Sequence, residues 1–374
     1  MKILEFITPS NVGGAENYVV NLSKKFIEKG HKVFILCSAS DNNKNSDLSV
    51  EQFLSKSGLP FKIIRADFKY NPFTVLRVAY FIKKNKFDII HTHLSKANYI
   101  GALASKIAKK KSISTAHGLN KKGQYKYSDY VICVSNAVKE NLLSQGMDET
   151  KLGVIYNGID ILKFNSQAEG LPARKKYAFS ADSLEGNQSK TRSQTSMFNV
   201  GIIARLSSEK GVDIFIEAAK FVLSDIPEAK FFIAGAGNLK DALIKRAKDL
   251  NIYNSVYFVG FIDGNLVSFL NELDVVVFPS LKEGLPLALL ESMSMKKIVI
   301  VSDAGGMPEV VEDGKNGFVV KKGDADAIYQ KLIFVYNNMS SLNELADSAA
   351  ETIKKRFNIE TCADKTFDLF MKFL

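Results

Sequence analysis

The pattern that most limits what this chain can fold into is a β-α alternation that runs through its first half and starts again in its second. Short apolar runs predict strands at Lys2–Thr8, Lys32–Cys37, Phe61–Arg65, Phe87–His91, Ser112–Ala116, Tyr130–Val134 and Lys151–Tyr156. Helical spacing fills the gaps: Ala15–Lys29 places Val19, Leu22 and Phe26 on one face and stops at Gly30. Further helices are expected at Val50–Ser57, Phe73–Asn85, Ala97–Lys110 and Ala137–Gln145. After residue 197 the strands are Asn199–Ala204, Ala229–Ala234, Val256–Gly260, Val275–Pro279 and Ile298–Ser302, again with helices between them. Such alternation gives parallel sheets covered on both faces. Right-handed crossovers make each half a doubly wound, Rossmann-like α/β domain.

A chain of 374 residues is too long for one ordinary core, so two domains are expected, 1–165 and 197–356. The stretch 166–196 is rich in Ser, Gln, Lys and Asn and reads as a polar linker or loop. The last helix, within 357–374, is expected to cross back onto the first domain. Ligands of open α/β sheets bind at the carboxyl ends of the strands. A cleft faced by both domains is therefore the expected site.

Composition excludes several classes. No apolar run approaches the roughly 18 residues of a spanning helix. The start, Met-Lys-Ile-Leu-Glu-Phe-Ile, lacks the features of a signal peptide and reads as a strand. A cytoplasmic protein is expected. Cys37, Cys133 and Cys362 have no metal spacing and read as buried thiols. The net charge of +10 is uneven. Residues 1–165 hold 25 Lys and Arg against 13 Asp and Glu, a balance of +12, and the remainder balances at −2. A basic half suggests an anionic surface or partner.

Candidate chemistry falls mostly at predicted strand ends. Gly13 and Gly14 follow the first strand and precede a helix, where backbone can approach a ligand. His117 follows Ser112–Ala116 and precedes Gly118. His91 and His93 share one face of a strand. A third ligand is not evident, so no metal site is expected, and His91 reads as structural. Arg205 and Lys210 follow Asn199–Ala204 and can neutralise a diphosphate without a metal. Gly235 and Gly237 form a turn, not a GxGxxG fingerprint, because Lys240 fills the third position. Gly305, Gly306 and Glu309 follow Ile298–Ser302.

The run Lys282–Met293 carries two carboxylates, Glu283 and Glu291, eight positions apart. Glu283 reads as part of a Gly/Pro loop, and Pro286 can start the helix Leu287–Met295 that holds Glu291. Eight residues of helix rise about 12 Å, so the pair could touch opposite ends of an elongated ligand, with free helix amides between for a phosphate. The plainer alternative is a solvated Glu and a helix-face Glu.

These pieces resemble the retaining GT-B glycosyltransferases of family 4, the "group 1" type. The match runs in order through Gly13-Gly14-Ala-Glu16, His117-Gly118, Val134-Ser135, Asn157-Gly-Ile-Asp160, Arg205…Lys210-Gly211, Gly235…Gly237, Phe258-Val-Gly-Phe261, Glu283-x7-Glu291 and Gly305-Gly-Met-Pro-Glu309. The resemblance implies two Rossmann-like domains facing across a cleft, the second binding the donor. It implies transfer of a sugar from a UDP- or GDP-sugar to a glycan or lipid-linked hydroxyl, with retention and no metal or other cofactor. Arg205 and Lys210 would bind the diphosphate, Glu283 the sugar hydroxyls and Glu291 the ribose. Backbone near Gly284, Leu285, Pro286 and Leu287 would meet sugar and phosphate, with Gly235 on the donor side. His117 and the Gly13-Gly14 loop would line the reaction centre. Ala204 departs from the pattern, since a Gly often precedes the Arg.

The acceptor is less legible. Lys83-Lys84-x-Lys86, Lys109-Lys110-Lys111 and Lys121-Lys122, with Phe68, Tyr70, Phe73, Tyr80 and Phe81 near the first cluster, suit an anionic membrane surface on the inner face of the cytoplasmic membrane. A solvated basic face over core aromatics is the alternative. No nucleic-acid-reading motif is present. Competing functions on the same architecture are a nucleotide-sugar epimerase and a non-catalytic nucleotide-sugar binding protein; an oxidoreductase lacks its fingerprint.

Overall fold

The computed structural model describes residues 1–8, 12–39, 50–65, 71–164, 198–262, 264 and 266–374. The expected linker 166–196 and the aromatics Phe68 and Tyr70 lie outside these residues. Contacts divide the chain into two units. The first holds Met1–Asp160, Glu283–Leu287 and Arg356–Leu374; the second holds Ile161–Lys282 and Ala288–Lys355.

The first unit is built on strands β1 (Lys2–Ile7), β2 (Lys32–Ala39), β3 (Phe61–Arg65), β4 (Ile89–His93), β5 (Lys111–Ala116), β6 (Tyr130–Cys133) and β7 (Leu152–Val154). Their order is β3-β2-β1-β4-β5-β6-β7, with every pair parallel. Helices α1 (Gly14–Glu28), α2 (Val50–Ser57), α3 (Pro72–Asn85), α4 (Ser95–Ala108) and α5 (Asn136–Leu143) connect them. Strands buried on both faces read as unbroken apolar runs, and Ile3, Leu4 and Phe6 of β1 are fully buried. The start of α3 has a local cause: Asn71 accepts a hydrogen bond from the Phe73 amide at 2.9 Å, and Pro72 opens the helix. The sequence reading ended β4 at His91. The strand continues to His93 because Thr92 and His93 pair with Phe6 and Ile7 on one side and with Ser114 and Thr115 on the other.

The second unit repeats the plan. Strands β8 (Asn199–Ile203), β9 (Lys230–Ala234), β10 (Val256–Gly260), β11 (Val275–Phe278), β12 (Ile298–Ser302) and β13 (Phe318–Val320) form a sheet in the order β10-β9-β8-β11-β12-β13. Counted within the unit this is 3-2-1-4-5-6, the order of a dinucleotide-binding Rossmann sheet. Its helices are α6 (Val212–Asp225), α7 (Lys240–Asp249), α8 (Leu266–Glu272), α9 (Leu287–Ser294), α10 (Ala325–Asn338) and α11 (Asn343–Arg356). Sequence patterning missed β13, whose three residues are too few to show a period.

Helix α12 (Ile359–Met371) belongs to the first unit. Asn358 caps it by accepting from the Thr361 amide at 2.7 Å. Lys25 and Lys29 of α1 pair with Glu360 and Asp364 at 2.7 and 2.6 Å. Exposed pairs of this kind contribute little, typically about 0–1 kcal/mol. The apolar contacts carry more: Phe370 is fully buried, with its ring centroid 5.7 Å from Phe26 and 5.2 Å from His91. Cys37, Cys133 and Cys362 are all buried and unbridged. Phe370→Ala is expected to cost about 3–5 kcal/mol, the usual range for emptying a buried aromatic site. Thermal unfolding followed by circular dichroism checks this, and an unchanged melting temperature would show that Phe370 does not hold α12 in place.

Candidate active site

In an open α/β sheet, ligands gather where the strand order reverses. In the first unit that point is β1, flanked by β2 on one side and β4 on the other. The register sets Glu5 of β1 opposite His91 and Ile7 opposite His93. Glu5 is fully buried in the middle of an apolar strand, where an unpaired carboxylate is very costly. It is paired twice, its Oε2 lying 3.0 Å from His91 Nδ1 and 2.7 Å from His93 Nε2. Burial opposes its ionisation, yet His91 and His93 hold the Glu5 carboxyl down at about 2. The expectation that His91 and His93 lack a third partner is therefore corrected: Glu5 brings a third donor atom within 4.8 Å of the two imidazoles. The direct contacts of 2.7–3.0 Å are hydrogen-bond lengths, shorter than two ligands about one metal would take. Sequence reasoning missed Glu5, although a lone carboxylate inside a doubly covered strand is itself a signal.

His117 follows β5 directly. Its Nε2 lies 3.0 Å from His93 Nδ1, which joins it to the buried cluster. Tyr18 of α1 covers both rings edge-on, with centroids at 5.9 Å from His93 and 5.2 Å from His117. Burial pushes His93 down to about 4 and holds His117 well below the ordinary imidazole range. Both are therefore neutral at pH 7.

The segment Glu283–Leu287 packs on this same unit. Gly284 lies so close to the strand end that a Cβ there would collide with the His117 carbonyl oxygen and lie 3.0 Å from Gly118 Cα. Ser135 Oγ donates to the Gly284 carbonyl at 3.3 Å, and Asn157 Nδ2 donates to the Leu285 carbonyl at 2.8 Å. His117, Ser135 and Asn157, far apart in sequence, thus converge on two consecutive peptides. Gly13 and Gly14 open α1, and a Cβ at Gly14 would reach the Leu287 side chain at 4.0 Å. Glu283 Oε1 accepts from the Gly284 amide at 3.1 Å.

In the second unit the order reverses at β8, between β9 and β11. Arg205 follows β8 and is exposed, and Lys210 ends the short 3-10 turn Ser208–Lys210. Arg205 Nη2 lies 3.3 Å from Glu209 Oε1, a partner the sequence reading did not assign. Burial opposes ionisation of Glu209, but its own backbone amide and the charges of Arg205 and Lys210 hold its carboxyl below the ordinary range. The Glu209 carbonyl accepts from the amides of Leu281 and Lys282 at 2.9 and 3.2 Å. The loop after β8 is thereby tied to the segment after β11. Gly235 has φ +145°, and a Cβ there would strike the Ala204 carbonyl, so it seats the turn after β9 against the Arg205 loop.

Glu291 lies in α9 and Glu283–Pro286 are not helical, as expected from a Gly/Pro loop leading into a helix at Leu287. Burial raises the Glu291 carboxyl to about 7, and Lys163 only partly offsets this. Gly305 and Gly306 follow β12, and Glu309 ends the 3-10 turn Met307–Glu309.

Comparison with known proteins identifies the family. The model for "Glycosyltransferase Family 4" matches residues 12–162, and that for "Glycosyl transferases group 1" matches 186–356. The UDP-Gal:alpha-D-GlcNAc-diphosphoundecaprenol alpha-1,3-galactosyltransferase of Escherichia coli is 30% identical over 311 residues, covering 78% of this chain and 76% of that protein. An uncharacterized glycosyltransferase of Methanocaldococcus jannaschii is 24% identical, covering 97% and 95%. The crystal structure of Anabaena Alr3699/HepE in complex with UDP-glucose superposes with a TM-score of 0.82 at 22% identity, each chain fully covered. The chain belongs to the group 1, family 4 glycosyltransferases and has their GT-B fold.

Proposed function

We propose that this enzyme transfers a sugar from a UDP- or GDP-sugar to the hydroxyl of a glycan or lipid-linked acceptor, with retention and without a metal. The observation that carries this reading is the placement of the candidate residues. In each sheet they cluster at the carboxyl ends of the strands beside the point where the order reverses. The E. coli relative, whose name specifies UDP-Gal and a diphosphoundecaprenol acceptor, and the UDP-glucose complex of the Anabaena protein favour a uridine nucleotide and a lipid-linked acceptor.

The costly step in such a transfer is departure of the nucleoside diphosphate as the sugar gains oxocarbenium character. Arg205 and Lys210 place two cations after β8, and the amides that open α9 add positive potential. Glu209 keeps Arg205 in reach of the loop without neutralising both cations. Glu283 binds sugar hydroxyls, and Glu291 accepts from the ribose. The resemblance gives the acceptor proton to the leaving phosphate itself, so no side chain is assigned as general base.

The acceptor side has a matching surface. Phe73, Leu76 and Tyr80 of α3 are 75%, 54% and 65% exposed and recur at helical spacing on one face. Ile107 of α4 is also exposed. Lys83, Lys84 and Lys86 follow on α3 and just beyond it, and Lys106 and Lys109 close α4, all exposed. Phe81 packs inward against Phe34 and Phe87. Apolar side chains within a basic rim suit an anionic bilayer surface. No helix among the described residues is long and apolar enough to cross a membrane. Peripheral binding at the inner face of the cytoplasmic membrane would bring the enzyme to a lipid-linked acceptor.

Lys210→Ala is expected to lower kcat by about 10²-fold or more, the usual effect of losing one charge-stabilising donor. EDTA is expected to leave the wild-type rate unchanged; abolition of transfer by EDTA would refute the metal-free mechanism. Isomerisation of the donor without an acceptor would point to an epimerase instead. Donor binding should tighten as pH rises through about 7, because the ionised Glu291 accepts from the ribose more strongly than its neutral acid. Calorimetry in buffers of differing ionisation enthalpy should show proton release near pH 7 that disappears in Glu291→Gln. Phe73→Ala/Tyr80→Ala should weaken binding to liposomes containing anionic lipid at moderate salt, and equal partitioning of the wild type onto neutral and anionic liposomes would contradict membrane docking.

A further inference from the structure

We propose that Glu5, acting through His93, fixes the proton on His117 Nε2, so that His117 meets the substrate only as a hydrogen-bond acceptor, through Nδ1. The direction follows from the valence of each atom along the chain. Glu5 is a carboxylate and can only accept. His93 Nε2, 2.7 Å from Glu5 Oε2, must therefore carry the proton. A neutral imidazole protonated at Nε2 has a bare Nδ1. His93 Nδ1 lies 3.0 Å from His117 Nε2 and must accept from it. His117 in turn is left with a bare Nδ1, to which no hydrogen bond is made among the described residues.

Each step needs the rings to be neutral and the starting charge to be fixed. Burial keeps His93 and His117 neutral, and the paired imidazoles keep Glu5 ionised. His91 anchors the other side of the carboxylate, with its Nε2 2.7 Å from Thr115 Oγ1. Among the described residues, Tyr18 of α1 packs edge-on against the His93 and His117 rings, and Cys362 of α12 lies 3.7 Å from the Tyr18 hydroxyl. Both are uncharged at neutral pH, because burial raises Tyr18 well above its ordinary range and pushes Cys362 up to about 11. Thr366 and Phe370 of α12 add no charge. The carboxylate of Glu5 is thus the single charge that sets the polarity of the row.

The consequence for chemistry is specific. A bare His117 Nδ1 accepts from a sugar or acceptor hydroxyl and cannot protonate a leaving group. Glu5 and His93 are positioning residues, as the carboxylate of a serine-protease triad is for its histidine. The substrate contact rests on the glycosyltransferase reading above, but the protonation pattern does not.

The test separates the two. The chain has four histidines, so ¹⁵N-labelled imidazoles can be assigned by single substitutions. In the wild type at pH 7, His117 is expected to be neutral with its proton on Nε2. A proton on Nδ1, or an imidazolium at pH 7, would overturn the proposal whatever the enzyme's activity. In Glu5→Gln, an amide that can donate replaces a group that can only accept, so His117 should populate both tautomers. Its kcat should fall by about 10-fold or more with donor KM within about twofold. Retention of the single Nε2-protonated form with wild-type kcat in Glu5→Gln would also overturn it. Correct protonation in a wild type that transfers no sugar would instead refute the functional reading alone.

Discussion

The contact on which the rest of the first unit's site depends is backbone against backbone, at Gly284 and the His117 carbonyl. No side chain fits there, because even a methyl group would strike the β5 strand end. Once the glycine permits the approach, Ser135 and Asn157 hold the next two carbonyls. The loop is therefore held by one main-chain approach and two side-chain hydrogen bonds to its carbonyls, from three separate strand ends. This is the arrangement a transferase needs to keep backbone amides oriented while charge moves, since preorganised dipoles act without reorganising at the moment of reaction.

Two kinds of electrostatic environment follow from burial. Around β1 and β4, a fully buried carboxylate is stabilised by imidazoles and in turn keeps them in one hydrogen-bonding direction. Around β8, Arg205 is exposed, while Lys210 and the carboxylate of Glu209 are partly buried. The first environment is rigid and carries one buried charge. The second is solvated and suits a mobile polyanion, whose binding would displace water from Arg205 and Lys210.

Much of this was legible in the sequence, and the failures have physical causes. Strands of parallel sheets show as apolar runs, so twelve of the thirteen among the described residues were found within a few residues. The exception, Phe318–Val320, is too short for a run to register. The site's glycines and cations stand at strand ends, which alternation alone locates. The Glu5 cluster was missed because its members come from two strands neighbouring in the sheet but separated by 86 positions in sequence. Sequence spacing showed His91 and His93 on one face but could not show what stood opposite. The loop at Glu283–Pro286 and the helix from Leu287 were legible because Gly284 and Pro286 are turn and helix-start residues, but the packing of that loop on the first unit was not.

The central proposal is that Arg205, Lys210 and Glu291 of the second unit bind a nucleotide-sugar without a metal. A crystal structure with a uridine diphosphate-sugar bound tests it most directly. The proposal predicts the diphosphate within hydrogen-bonding reach of Arg205 and Lys210 and the ribose against Glu291. A nucleotide seated elsewhere, or a divalent ion bridging its phosphates, would contradict it.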